Sequence, residues 1–70
     1  MELKNKFKDN LKSLRLEKGL GQVSLANLIR VSKGTISLWE NGIREPSMSS
    51  LIALADFFNC TIDYLVGRED

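Results

Sequence analysis

The run Gln22-Val23-Ser24-Leu25-Ala26-Asn27-Leu28-Ile29-Arg30-Val31-Ser32-Lys33-Gly34-Thr35-Ile36-Ser37-Leu38-Trp39-Glu40-Asn41-Gly42 decides the fold. Leu25, Ala26 and Ile29 form a short apolar stripe at helical spacing, entered at Gly21-Gln22 and broken near Arg30-Val31. Ser32 is suited to an N-cap, because its hydroxyl can accept from a free amide of the following turn. Ile36 and Trp39 then give the next helix a buried face at i, i+3 before Asn41-Gly42 stops it. Two short helices, 22–29 and 33–40, are thus joined by three residues. Ala26 has to be small where the second helix crosses, Ile29 and Val31 fill the angle, and Ile36 and Trp39 pack the second helix from beneath.

The flanking sequence reads as three more helices. Phe7, Leu11 and Leu14, with Leu3 one turn earlier, predict an amphipathic helix from about residue 5 to 18, ended by Gly19. Ile43 to Pro46 reads as a loop, Ser47 as an N-cap, and Leu51, Ile52, Leu54, Ala55 and Phe58 as the apolar positions of a fourth helix reaching about Asn59. Thr61 caps a short fifth helix with Ile62, Leu65 and Val66 as its apolar positions, and Gly67 closes it. No strand alternation and no internal repeat interrupts this pattern. The fold class is all-α, a compact five-helix bundle forming one domain over residues 1–67, with a frayed tail at 68–70.

Composition narrows the chemistry. Seventy residues support one small core, and 43% hydrophobic with 27% charged residues is the balance of a folded globular chain. The single cysteine, Cys60, cannot close an intramolecular disulfide; with no histidine, one thiol cannot assemble a metal cluster, so no metal and no cofactor are expected. No stretch approaches the roughly 20 apolar residues of a membrane span, and residues 1–10 are polar, which gives a cytoplasmic reading without membrane contact. Neither a glycine-rich phosphate loop before a lysine nor a carboxylate cluster at metal spacing is present, so no catalytic residue is assigned. The net charge of +1 conceals an asymmetry: residues 4–33 carry +6, residues 34–70 carry −4. The basic half coincides with the helix pair, which suits a polyanionic partner.

The motif at about 22–41, with Trp39-Glu40-Asn41-Gly42 followed by Pro46-Ser47, closely resembles the helix-turn-helix of the phage-repressor and Cro type, also called the xenobiotic-response-element (XRE) family. The resemblance extends from Leu11–Leu20 before the motif to Leu51, Leu54, Ala55, Thr61, Asp63, Tyr64, Leu65 and Gly67 after it, and implies the five-helix, lambda-repressor-like DNA-binding fold. It implies a sequence-specific DNA-binding transcriptional regulator, a repressor encoded by a bacterium or mobile element, that places helix 33–40 in the major groove of a double-stranded operator. Lys33, Gly34, Thr35, Ser37 and Leu38 are then the base-reading positions: Lys33 toward guanine, Ser37 toward several bases, Leu38 toward a thymine methyl, and Gly34 through close approach. Gln22, Arg30, Ser32 and Asn41 match phosphate-contacting positions. Arg15 and Glu40 match a structural ion pair linking the first helix to the end of the recognition helix. This is a thin reading surface, which implies modest specificity per half-site and help from DNA shape.

Two positions depart from the family pattern. Gly21 stands where a capping serine or threonine is frequent, and Arg30 stands where the turn usually has glycine. A positive φ at Arg30 would cost about 1–2 kcal/mol and would hold the guanidinium toward a phosphate. Relatives pair through C-terminal helices or an appended domain; the chain ends soon after Gly67, so no appended domain is expected, and Phe57, Ile62, Tyr64 and Val66 are the candidates for a homodimer contact. The alternative function is a protein-interaction module, such as an antitoxin or an accessory regulator subunit, using the acidic fourth and fifth helices.

Overall fold

A computed structural model describes residues 6–68. It contains α1 (Phe7–Glu17), α2 (Gln22–Ile29), α3 (Lys33–Glu40), α4 (Met48–Phe58) and α5 (Ile62–Leu65), with no strand among the described residues. The five helices follow the sequence pattern within about two residues at each end, the usual spread of helix boundaries. Leu3, residue 5 of the expected first helix, and Glu69 and Asp70 of the expected tail lie outside the described residues.

Three of the five helix starts are set by side chains. Ser32, Ser47 and Thr61 each accept through the hydroxyl from the backbone N–H three residues on, at 3.0, 3.1 and 2.9 Å. Each such cap contributes about 1 kcal/mol. The helix ends share one device as well. Residues 19, 30, 42, 59 and 67 all have positive φ. In each case the next N–H donates to the carbonyl five residues back: Leu20 to Arg15, Val31 to Ala26, Ile43 to Leu38, Cys60 to Ala55 and Arg68 to Asp63, at 2.7–3.1 Å. This is the Schellman closure, which satisfies carbonyls that the helix leaves open. Three of the five positions are glycine and one is Asn59, a residue that tolerates the left-handed region. The fifth is Arg30, at φ 63° and ψ 46°, and it has no such tolerance. The strain expected in the turn is therefore present.

All five helices contribute to one core of Phe7, Leu11, Leu25, Ala26, Ile36, Trp39, Leu54, Phe58 and Leu65. The Phe7 ring meets Trp39 edge to face, with centroids 6.1 Å apart and an interplanar angle of 72°. Ile52 departs from its expected apolar role, being 47% exposed. At about 100° per residue, Leu51, Leu54, Ala55 and Phe58 share one stripe of α4 and Ile52 falls off its edge. Of the candidates for a homodimer contact, Phe57 and Val66 are partly buried against the core, Ile62 is half-buried and Tyr64 is exposed.

One polar cluster is buried within this frame. Arg15 Nε donates to Glu40 Oε2 at 2.7 Å, Nη2 to Glu40 Oε1 at 3.0 Å, and Nη1 to the Leu20 carbonyl at 2.8 Å. Gln22 Nε2 donates to the same Glu40 Oε1 at 3.1 Å. The Arg15 and Glu40 side chains are 9% and 4% exposed, so the pair is screened little by solvent. Its hydrogen bond to Glu40 raises the Arg15 pKa above the ordinary arginine value, against the opposing effect of burial. No buried side-chain nitrogen or oxygen among the described residues lacks a partner.

Two stability measurements follow from this geometry. Arg15→Met should cost about 3–5 kcal/mol in urea unfolding, because it strands the Glu40 carboxylate, and adding Glu40→Gln should recover about 1–3 kcal/mol of that loss. Arg30→Gly should relieve about 1 kcal/mol of left-handed strain and raise Tm by about 4–8 °C in a thermal scan.

Candidate nucleic-acid interface

The three-residue link between α2 and α3 is wound tightly. The Arg30 and Val31 N–H groups both donate to the Ala26 carbonyl, turning the chain back on itself before Ser32 opens α3. Ala26, 2% exposed, leaves room for α3 to cross, and Leu25 and Ile36 are fully buried on either side of the crossing. With Ile36 and Trp39 turned inward, the opposite side of α3 faces out. At about 100° per residue, positions 33, 34, 37, 38 and 41 fall on that outward arc. Lys33, Gly34 and Asn41 are exposed, and Ser37 and Leu38 are half-buried.

The site residues expected from sequence are not all equivalent. Thr35 falls off the arc: its hydroxyl lies 2.9 Å from Ser32 Oγ and its N–H donates to the same oxygen, so it belongs to the cap of α3. One hydroxyl proton of the Ser32–Thr35 pair remains free, since a single hydrogen bond joins two hydroxyls. Asn41 folds back along the last turn, with Nδ2 donating to the Ser37 carbonyl at 2.9 Å and approaching Ser37 Oγ at 3.3 Å. An external acceptor reaches Asn41 Nδ2 by replacing that longer contact. Gln22 is half-buried and uses one amide proton on Glu40, which leaves its second proton for an outside acceptor. At the start of α2, Gly21 supplies no side-chain cap, so the first amides of that helix keep an open end toward solvent. Arg30 is exposed at the elbow between the two helices.

One neighbour escapes a reading by motif. A Cβ added at Gly42 would meet Lys8 Cδ at 3.0 Å and Lys8 Nζ at 3.8 Å, so the lysine stem lies across that glycine at the end of α3. The ammonium sits where the helix carbonyls concentrate negative potential. In the sequence Lys8 registers as part of the basic half alone. The available signal is its spacing: Lys8 and Arg15 lie two turns apart on one stripe of α1, and Arg15 reaches the same end of α3 through Glu40.

Among the described residues no group of three or more His, Cys, Asp or Glu is placed to hold a metal ion, and no helix is long and apolar enough to cross a membrane. The outward arc of α3, the open start of α2 and the cations Arg30 and Lys33 make a surface of polar and positive groups on a rigid frame.

Comparison with known proteins agrees with this geometry. The helix-turn-helix family model matches residues 11–65. The chain is 42% identical over 64 residues to the HTH-type transcriptional activator BcrR of Enterococcus faecalis, covering 91% of this chain and 31% of that protein. It is 41% identical over 61 residues to the HTH-type transcriptional regulator AnsR of Bacillus subtilis, covering 87% of this chain and 53% of that one. The chain therefore spans about a third to a half of the length of these curated relatives. Among solved structures it is similar to the P22 c2 repressor protein in complex with synthetic operator 9T, with a TM-score of 0.84 and 28% identity, over 99% of this chain and all of that one. On the matched family model, these relatives and the shared five-helix frame, the chain belongs to the helix-turn-helix family of phage-repressor and XRE type.

Proposed function

We propose that the chain is a DNA-binding transcriptional regulator of the repressor type, non-catalytic and cytoplasmic, that lays α3 in the major groove of a double-stranded operator while α2 rests on the phosphate backbone. The observation that carries this reading is the outward arc of α3: its side chains are free of the core, while the helix beneath them is fixed to α1 and α2 through Glu40. Lys33 donates to guanine O6 and N7, Ser37 pairs with an acceptor or donor on a base edge, and Leu38 touches a thymine methyl. Gly34 has open space around it, since an added Cβ would meet only Ser32 Oγ at 3.7 Å. Its role is to let the groove floor approach. Gln22, Arg30, Ser32 and Asn41 hold phosphates and set the register, and Lys8 extends that contact past the end of α3.

Selection from a randomised duplex library, followed by binding to the recovered sites at two salt concentrations, tests the reading. An enriched sequence is expected, with a steep loss of affinity on adding salt of about 0.9 in log–log slope for each phosphate neutralised. Lys33→Glu should abolish the enrichment. Gly34→Ala should raise stability by about 0.5–1 kcal/mol through helix propensity and yet weaken binding, a pairing that separates groove approach from folding. A folded chain that enriches nothing would instead favour a protein-interaction module.

A further inference from the structure

Asn41 and Gly42 follow the last residue of α3, and both are exposed. Of the asparagines in the chain, only Asn41 precedes a glycine; the others are followed by Lys6, Leu11, Leu28 and Cys60. That pairing matters chemically, because the carboxamide carbon lies within ring-closing reach of the next backbone nitrogen and a glycine there has no side chain to hold the two apart. Asn41 is the C-cap, at φ −94° and ψ 0°, so the helix constrains it from one side alone. Two hydrogen bonds restrain the reacting groups: the Gly42 N–H donates to the Trp39 carbonyl at 3.1 Å, and Asn41 Nδ2 donates to the Ser37 carbonyl at 2.9 Å. Both belong to the final turn and open together when that turn frays. A third feature favours reaction. The Lys8 stem crosses Gly42, with Nζ 3.8 Å from the position of a Gly42 Cβ, which sets a cation beside the Gly42 backbone. Such a cation favours the deprotonated nitrogen and the oxyanion that forms on attack.

We propose that Asn41-Gly42 is a self-modification site, at which the chain converts Asn41 to aspartate or isoaspartate and places a negative charge on the outward arc of α3. The Gly42 nitrogen gives up its proton and attacks Asn41 Cγ. The Cγ–Nδ2 bond breaks, Nδ2 leaves with a proton as ammonia, and a cyclic imide remains. Water then adds to one of the two imide carbonyls: opening at Cγ gives aspartate, and opening at the main-chain carbonyl gives isoaspartate, in which the chain runs through the side chain. Water has replaced ammonia, and nothing is oxidised or reduced. The consequence for binding rests on the proposed DNA reading. There the new carboxylate stands where the Asn41 amide holds a phosphate, so like-charge repulsion replaces a hydrogen bond. A duplex seated on Asn41 engages the amide and keeps the last turn closed, so the bound chain is protected. The free chain loses its amide with time, and the loss is one-way.

The test is incubation of the folded full chain without DNA at mildly alkaline pH, followed by peptide mass spectrometry and enzymatic methylation specific for isoaspartate. The peptide holding Asn41 should gain the mass difference between water and ammonia while those holding the other asparagines stay unchanged. Asn41→Gln should remove the signal, because the longer side chain closes its ring poorly, and Lys8→Met should slow conversion at least about twofold. Asn41 left intact in the folded chain after the same chain in concentrated urea has converted fully would overturn the proposal, and parent-rate conversion in Lys8→Met would overturn the assistance by Lys8. The binding consequence is read separately. A selected duplex at ten or more times its Kd, on the order of full occupancy, should slow conversion about tenfold. Asn41→Asp should bind that duplex at least about tenfold more weakly with helix content at the parent value. A chain that converts in solution but selects no duplex, or whose conversion and Asn41→Asp variant ignore the duplex, upholds the modification and sinks the link to DNA. A chain that selects a duplex but never converts sinks the modification alone.

Discussion

The carboxylate of Glu40 sits where three helices have to agree. It takes two hydrogen bonds from Arg15 of α1 and one from Gln22 at the start of α2, and it stands on the last turn of α3. A buried ion pair is seldom a net gain over well-packed apolar residues, because desolvation opposes the Coulomb attraction. What this arrangement supplies is direction. An apolar contact between α1 and α3 would tolerate sliding by a fraction of a turn, whereas a two-pronged guanidinium–carboxylate pair fixes angle as well as distance. Arg15 also donates to the Leu20 carbonyl, so the loop into α2 is held by the same guanidinium. The outward arc of α3 is therefore presented by a frame that cannot rotate without breaking charge-assisted bonds in a dry site.

The apolar core and this polar cluster divide the work. Phe7 against Trp39 and the close crossing at Ala26 bring α1, α2 and α3 together without strong orientational preference. The cluster then selects one orientation. At the helix ends a different device operates: five Schellman closures stop the helices sharply, and α2 to α3 and α4 to α5 restart after only three residues. Arg30 is the one position where that closure conflicts with its residue type. A strained, exposed cation at the elbow of the two motif helices is consistent with a side chain retained for its charge.

Much of this was legible before any coordinates. Ser32, Ser47 and Thr61 announce helix starts, Gly19, Gly42 and Gly67 announce ends, and the positive φ of Arg30 is what the resemblance implies at a turn position where the family usually has glycine. Periodicity also named most of the core. It failed where depth matters more than direction: Ile52 belongs to an apolar run, but α4 is covered on one stripe only. Hydrogen bonds between side chains were the least readable part. Nothing in the spacing of Thr35 shows that its hydroxyl turns to Ser32, nor that Gln22 shares a proton with Glu40, because both depend on which neighbour the folded backbone brings within 3 Å or so. Lys8 was hidden for the same reason, its contact with Gly42 joining residues far apart in the chain.

The most direct test of the account is to map which amides respond when a uniformly labelled chain is titrated with a selected duplex and followed by nitrogen–proton correlation spectra. If α3 enters the groove on the frame built around Glu40, the shifts should gather at the start of α2 and along 30–38 and Asn41, and leave Asp56 to Asp63 unmoved. A map centred on the acidic surface of α4 and α5, with α3 unaffected, would contradict it.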